Sequence, residues 1–468
     1  MKKYIILLMF NFLLSFGNDF PIEENLFEDI YIENTSKQDI KKLKITQGVK
    51  ISNLNPVSIN DSYSKRIINF VYDTLFFKDE KGNIQSRLLK NYNWINNKEL
   101  YLELKNNICF HNGDLLNSYD VKTSLEQLKN SNLKYLFSGI MRIKILDNNK
   151  LLIELSEEDN TFLEKLTYGI TSIVKIKNEK IYGTGQYYIK SFQNDSIILK
   201  RNDNYYDKNK VLIEELEFSY DIQDKQRLIS LFNDEIDVAL DIDQNALNYG
   251  KDYEIIDDDN FILEEKSFKT LALIFGNKYK YSRENKEVMN NIIEREAISF
   301  FPQNSLNLKE YKNDSTNISS SQLKNMKKKI DLMILNTDKN IEIANQMKKS
   351  FEKFGIELNI LPHNLESYNQ KCKDKDFDVA LFDILMISDD TIFNIAKVFL
   401  NDLENYEIYN SLLPFFKLLK QEKRADRREI IQIKILDLIN KELPYIPIKH
   451  YKNYMVVSSD LKNIIKGW

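Results

Sequence analysis

The stretch IDLMILNTDKNIEIANQMKKSFEKFGIELNI, residues 330–360, decides the fold class. Ile330 to Leu335 is a short apolar run of the kind that becomes a buried strand. Asp338 follows as a candidate helix cap, and Ile343, Met347, Phe351 and Phe354 recur at helical spacing. Gly355 supplies a stop, because a glycine takes the left-handed conformation that ends a helix. Ile356 to Ile360 then resumes as a strand. Strand, helix and strand in that order make a βαβ unit, so the chain reads as α/β with a parallel or mixed sheet.

The same alternation extends upstream. Ile213 to Tyr220 is a strand candidate. Leu228, Leu231 and Phe232 are read as one face of a short helix that Asn233 could close in the left-handed region, and Ile236 to Leu240 is the next strand. Nearer the start, Lys44 to Val49 looks like the first strand. Leu100, Leu102 and Leu104 alternate with Tyr101, Glu103 and Lys105, the period of a half-buried strand. Trp94, Asn96 and Asn97 before them suggest the other arm of a hairpin. Asn112-Gly113 is a turn signal. Asn117 and Asp120 have the spacing of a capping box ahead of Val121, Ser124, Leu125 and Leu128.

The first residues read as an export signal over 1–17. Lys2 and Lys3 precede an apolar run of about 13 residues, too short to span a bilayer, and Ser15 and Gly17 are small enough for cleavage after Gly17. No Cys stands directly after that run, so a lipid anchor is not expected. Residues 18–40 are acidic and irregular and read as a solvated tether. With 468 residues and 43% hydrophobic content, two or three domains are expected. Lys and Arg number 66 against 70 Asp and Glu, for a net charge of −4, which argues against nucleic-acid binding. Three His make a His-rich metal site improbable, and two Cys, Cys109 and Cys372, do not suggest a disulfide scaffold.

Catalytic motifs are scarce: the chain has no nucleophile elbow, zinc-protease helix, Walker loop or dinucleotide fingerprint. Gly183-Thr184-Gly185 reads as a tight backbone turn, and His111 beside its turn as a structural hydrogen-bonding residue. Asp389-Asp390 follows a buried strand, Phe377 to Phe382. Such a pair serves acid/base catalysis, metal binding, a helix N-terminus or a ligand amine. The helical spacing from Thr391 to Phe399 favours the cap.

Several segments in order resemble the extracellular solute-binding proteins of family 5, the oligopeptide- and dipeptide-binding components of ABC transporters. The segments are Leu54-Asn55-Pro56, Phe110-His111-Asn112-Gly113 with Asp120-Val121, Gly183-Thr184-Gly185-Gln186-Tyr187, Arg201-Asn202-Asp203-Asn204-Tyr205-Tyr206, Asp234-Glu235-Ile236-Asp237, Glu294-Arg295-Glu296 and Leu443-Pro444-Tyr445-Ile446-Pro447. The family has Pro where Gln186 stands, Trp at Tyr206 and Gly at Asp234. The resemblance implies an α/β, two-lobed periplasmic-binding-protein-like fold of type II, a clamshell. Lobe I would hold 41–265 plus 446–468, with a subdomain inserted over about 61–171, and lobe II 266–445. It implies a monomer outside the cytoplasm, periplasmic, needing no cofactor. Such a protein captures a peptide-like solute between its lobes and delivers it to an ABC permease. The same fold binding an oligosaccharide, a nickel chelate or haem is the alternative, and a secreted hydrolase a distant third. Asp390 falls where the family places the carboxylate that pairs with the ligand's amine. Asp389, Ser388, Asn53, Asn55 and Tyr135 are the further candidate ligand contacts.

Overall fold

The computed structural model describes residues 40–458 apart from 52, 59–61, 80–81, 132, 194–195, 208–212, 257–259, 298–317, 387–390 and 403–404. The candidate export signal and the acidic segment after it therefore lie outside the described residues. The chain forms two compact units. One holds the chain up to Lys266 and again from Lys452, and the other holds Ser267–Tyr451.

The first unit starts with β1 (Ile40–Gln47), whose Leu43 and Ile45 are buried while Lys42 and Lys44 face out. A small hairpin follows, β2 (Phe76–Lys78) and β3 (Ile84–Ser86). Next comes a separate antiparallel sheet of β4 (Leu89–Asn96), β5 (Glu99–Leu104), β6 (Ile140–Asp147) and β7 (Lys150–Leu155), in the order β4-β5-β7-β6. Leu100, Leu102 and Leu104 all point inward, as their alternation requires. Between β5 and β6 lies the helix Ser118–Gln127. The Asn117 side chain accepts from the Tyr119 and Asp120 amides, and the Asp120 carboxylate accepts from the Asn117 amide. After the hairpin of β8 (Lys175–Lys177) and β9 (Lys180–Tyr182) the chain enters the main sheet. Its strands are β10 (Tyr187–Gln193), β11 (Ser196–Arg201), β12 (Ile213–Tyr220) and β13 (Val238–Asp243). The order is β10-β11-β12-β1-β13, with β1 parallel to both β12 and β13. Helices Asp224–Phe232 and Gln244–Asp252 flank β13.

Two long strands carry the chain between the units, β14 (Phe261–Phe275) outward and β18 (Tyr445–Val457) on return. The second unit holds β15 (Lys329–Leu335), β16 (Glu357–His363) and β17 (Val379–Met386), ordered β14-β17-β15-β16. The predicted βαβ unit is present: β15, the helix Asp338–Glu352 and β16, with β15 and β16 parallel in register. β17 is parallel to β15 on its other side and antiparallel to β14. After β17 the chain runs through helix Thr391–Ala396, a π-helical stretch Lys397–Asp402 and helices Tyr406–Gln421 and Ala425–Glu442. The return strand is β18 (Tyr445–Val457), which pairs with β13 through Val456 and Val457. On the second unit's side the Thr270 hydroxyl of β14 bonds His450 Nδ1 of β18 at 2.8 Å.

Three local expectations are corrected. The cap of helix Asp338–Glu352 is Thr337, not Asp338. Thr337 has the extended backbone a cap needs, and its hydroxyl accepts from the Asn340 amide at 3.2 Å. Asp338 sits in the first turn, where its charge suits the helix dipole. The left-handed residue after helix Asp224–Phe232 is Asp234 (φ 56°), while Asn233 keeps φ −83°. The amides of Asp234 and Glu235 then reach the carbonyls of Leu231 and Ser230, which is the Schellman pattern. Phe232 lies 61% exposed, because one step beyond Leu231 turns a side chain about 100° off the buried stripe.

Candidate ligand site

Three motif segments of the first unit, those holding His111, Gly183–Gly185 and Asn202–Tyr206, meet around the end of helix Ser62–Val71. Gly185 donates its amide to the Val71 carbonyl at 3.0 Å. A Cβ on Gly183 would stand 2.1 Å from that carbonyl oxygen, and one on Gly185 2.5 Å from that of Phe70, so only glycine lets this turn lie against the end of the helix. The Gly183 carbonyl accepts from the His111 amide. The Gly185 carbonyl accepts from His111 Nε2 at 3.1 Å and Asn202 Nδ2 at 3.0 Å. Burial pushes the His111 imidazole down to about 4. The central member, Thr184, bonds the buried Asp73 carboxylate, which also receives Arg87 and Tyr206. Burial nevertheless raises the Asp73 carboxyl above its ordinary range. This constellation is a scaffold: the side chains of His111, Asn202, Thr184, Asp73, Arg87 and Tyr206 bond one another or the backbone within the fold.

Each unit has a topological switch point. In the first, β12 and β13 lie on opposite sides of β1, parallel to it; in the second, β16 and β17 lie on opposite sides of β15. Ligands of open α/β sheets sit beyond the carboxyl ends of the strands at such points. In the first unit that end is Gln47-Gly48, and the chain leaves it toward Asn53 and Asn55. The Asn53 side chain accepts from the Asn55 amide at 2.8 Å, and that of Asn55 from the Val57 amide at 3.2 Å. These two turns launch the short helix Pro56–Ser58. Asn53 is exposed and Asn55 half-buried. Tyr135 is on a different element, helix Lys134–Phe137, exposed beneath the Lys134 ammonium.

In the second unit, β17 leads into Ser388, Asp389 and Asp390, which lie outside the described residues. The described residues beside that exit carry charge of both signs. Lys269 of β14 pairs with Asp383 of β17 at 2.7 Å. The Lys269 ammonium is also 5.6 Å from the Tyr451 ring centre, and Lys339, in the first turn of the helix after β15, is 3.3 Å from the same centre. Lys269 with its partner Asp383, and Lys339 beside Asp338 in the first helical turn, thus bring charges of both signs to this carboxyl edge around Tyr451. Sequence reasoning missed Lys269 and Lys339, since nothing local distinguishes them from other surface lysines.

Comparison with known proteins agrees with this architecture. The sequence pattern of the bacterial extracellular solute-binding proteins, family 5 (middle), matches residues 83–402. The nickel-binding protein NikA of Staphylococcus aureus is 28% identical over 237 residues, 48% of this chain and 47% of that protein, so the match spans about half the relative's length. Its solved structure with Ni(L-His)2 superposes with a TM-score of 0.76 at 22% identity, covering 90% of this chain and 95% of that one. A dipeptide-binding protein of Pseudoalteromonas sp. SM9913 in complex with Met-Leu gives 0.78 at 16% identity, with 90% and 96% covered. The periplasmic binding protein DppA of Helicobacter pylori with the peptide STSA gives 0.77 at 17%, with 90% and 95% covered. With a family match over more than half its length, and the α/β architecture of the type II periplasmic binding proteins, this chain belongs to the extracellular solute-binding proteins of family 5.

Proposed function

We propose that this protein captures a zwitterionic, peptide-like solute outside the cytoplasm and hands it, unaltered, to an ABC transporter permease, with residues 1–17 as its export signal. The observation that carries the reading is the charge pattern at the carboxyl edge of the second unit. Lys269 and Lys339 converge on Tyr451 there, and the run from Asp383 leads into Asp389-Asp390. Asp390 takes the ligand's ammonium, with Asp389 and Ser388 beside it, and Lys339 attracts its carboxylate. Asn53, Asn55 and Tyr135 remain candidate contacts from the first unit. The structural relatives solved with Met-Leu and with a peptide support this class of ligand.

A second reading, a nickel–histidine chelate as cargo, draws on the sequence match to NikA. The three histidines here each bond a partner in their own unit: His111 the Gly185 carbonyl, His363 Ser367 and His450 Thr270. Among the described residues no group of three or more His, Cys, Asp or Glu could hold a metal. On this reading the imidazoles arrive with the metal.

Titration calorimetry separates the two, using a pool of short peptides, the same pool N-acetylated, and Ni(L-His)2. The peptide reading expects wild type to bind the free pool and Asp390→Asn to bind it about 10- to 100-fold more weakly at unchanged melting temperature, since one charge-assisted hydrogen bond is worth about 1.5–3 kcal/mol. Equal binding by both proteins, or indifference to acetylation, overturns the role of Asp390. Binding of Ni(L-His)2 and of neither peptide pool selects the second reading. Mass spectrometry of recovered peptides should find them uncut.

A further inference from the structure

At the switch point of the first unit, Asp241 of β13 occupies the left-handed region (φ 59°) at a bulge, and its side chain is buried. An aspartate tolerates that conformation better than most residues, yet it is unusual inside a strand. Its carboxylate takes both Arg66 nitrogens, Nη2 at 2.7 Å and Nη1 at 3.0 Å, and the Gly48 amide at 3.0 Å. Arg227, almost wholly buried, donates to the carbonyls of Leu240 at 3.0 Å and Asp241 at 2.9 Å, and to Asp224 at 2.9 Å. Its guanidinium lies over Gly48, where an added Cβ would stand 3.5 Å from two of its nitrogens. Arg66 also reaches Gln47. Two buried arginines and one aspartate therefore fix the point where the chain leaves β1. Immediately beyond it the segment Gln47–Ile51 forms one side of a shallow open hollow of about 20 Å3, lined also by Phe192, Phe218 and Tyr220.

We propose that Asp241 is a positioning residue for ligand binding. Through its bond to the Gly48 amide it holds the Gln47–Ile51 segment in place at the carboxyl edge of β1, the switch point of the first unit. A buried ion pair adds little net stability compared with an apolar core, whereas a rigid support shell holds a binding loop ready for its ligand. The inference rests on the solute-binding reading above and names the residue that pre-forms the first unit's share of the site.

Hydrogen exchange and calorimetry test it on the full chain. The background is Arg66→Met, so that no arginine is left alone beside a missing carboxylate. In that background Asp241→Gly keeps the backbone freedom and removes the acceptor. Asp241→Asn keeps the conformation and an oxygen for the Gly48 amide. The glycine variant is expected to exchange the Gly48–Ile51 amides at least about tenfold faster, with β5 unchanged, and to bind the peptide pool or Ni(L-His)2 about tenfold more weakly. The asparagine variant should restore both. Acceleration spread evenly over β1, β5 and β13, or equal exchange and affinity in the two variants, overturns the proposal. Should the glycine variant not fold, the wild-type Gly48 amide decides: exchange as slow as in β1 supports the tie, and exchange at open-loop rate overturns it. If wild type binds neither probe, the solute reading falls while the exchange pattern still judges the role of Asp241 in holding the loop.

Discussion

Thr184 donates its hydroxyl to the Asp73 carboxylate at 3.0 Å across 111 residues of chain. Both residues are almost fully buried. Thr184→Val keeps the shape and leaves a buried carboxylate short of one donor. The expected loss is about 1–3 kcal/mol of stability, read as a lower melting temperature. Arg87 and Tyr206 remain on the carboxylate, so the variant should still fold. An unchanged melting temperature would show that the bond is worth nothing net.

His111 gives the stability a pH dependence of known sign. Its folded pKa is about 4 against an ordinary 6.5, because burial disfavours the charged ring. Between those values the unfolded chain takes up a proton that the folded one refuses. Stability from this residue is therefore complete above pH 6.5 and falls as pH drops toward 4, by up to about 3 kcal/mol. His111→Gln can still donate to the Gly185 carbonyl and does not titrate. Its unfolding curve should be flatter over that window than wild type's.

Asp234 stands exposed in the left-handed region, at the position where the family has glycine. Asp234→Gly should stabilise by about 0.5 kcal/mol, the relief of strain exceeding the added chain entropy. Asp234→Ala should destabilise, since alanine lacks even the local polar compensation. Melting temperatures moving in the same direction for both would contradict this account.

Cys109 and Cys372 are free and lie in different units. Thiol titration of the denatured, unreduced protein should find both. In the native state Cys372 should label slowly at pH 8. Burial pushes its thiol up to about 11, so little thiolate is present to react.

What the sequence disclosed was mostly local. The Asn117–Asp120 capping box and the inward stripe of Leu100, Leu102 and Leu104 depend on residues within one turn or one strand, and both formed. The βαβ unit of 330–360 was legible for the same reason. Misplacing the cap by one residue, at Asp338 rather than Thr337, shows the limit of that reasoning. Both types can cap, and the backbone conformation decides between them. Ties such as Arg66 to Asp241 were invisible, because the partners lie on different elements and neither has a periodic signature. Lys269 and Lys339 were equally hidden. Their meaning comes from a shared aromatic ring at the far end of the chain, Tyr451. Asn53 and Asn55 lie after the switch-point strand, but their side-chain oxygens serve the turns of their own backbone.

The pairing of β13 with Val456 and Val457 has a consequence for the order of events during synthesis. Most of the first unit leaves the ribosome before the second, yet its sheet lacks one neighbour until the second unit has been made. Until then β13 offers an open edge, and such edges recruit other chains. The contact that closes it is among the most distant in sequence, so it is expected to form late and slowly. A first unit whose sheet is completed only by a strand lying beyond the whole second unit in sequence stays unfinished until that second unit has been synthesised.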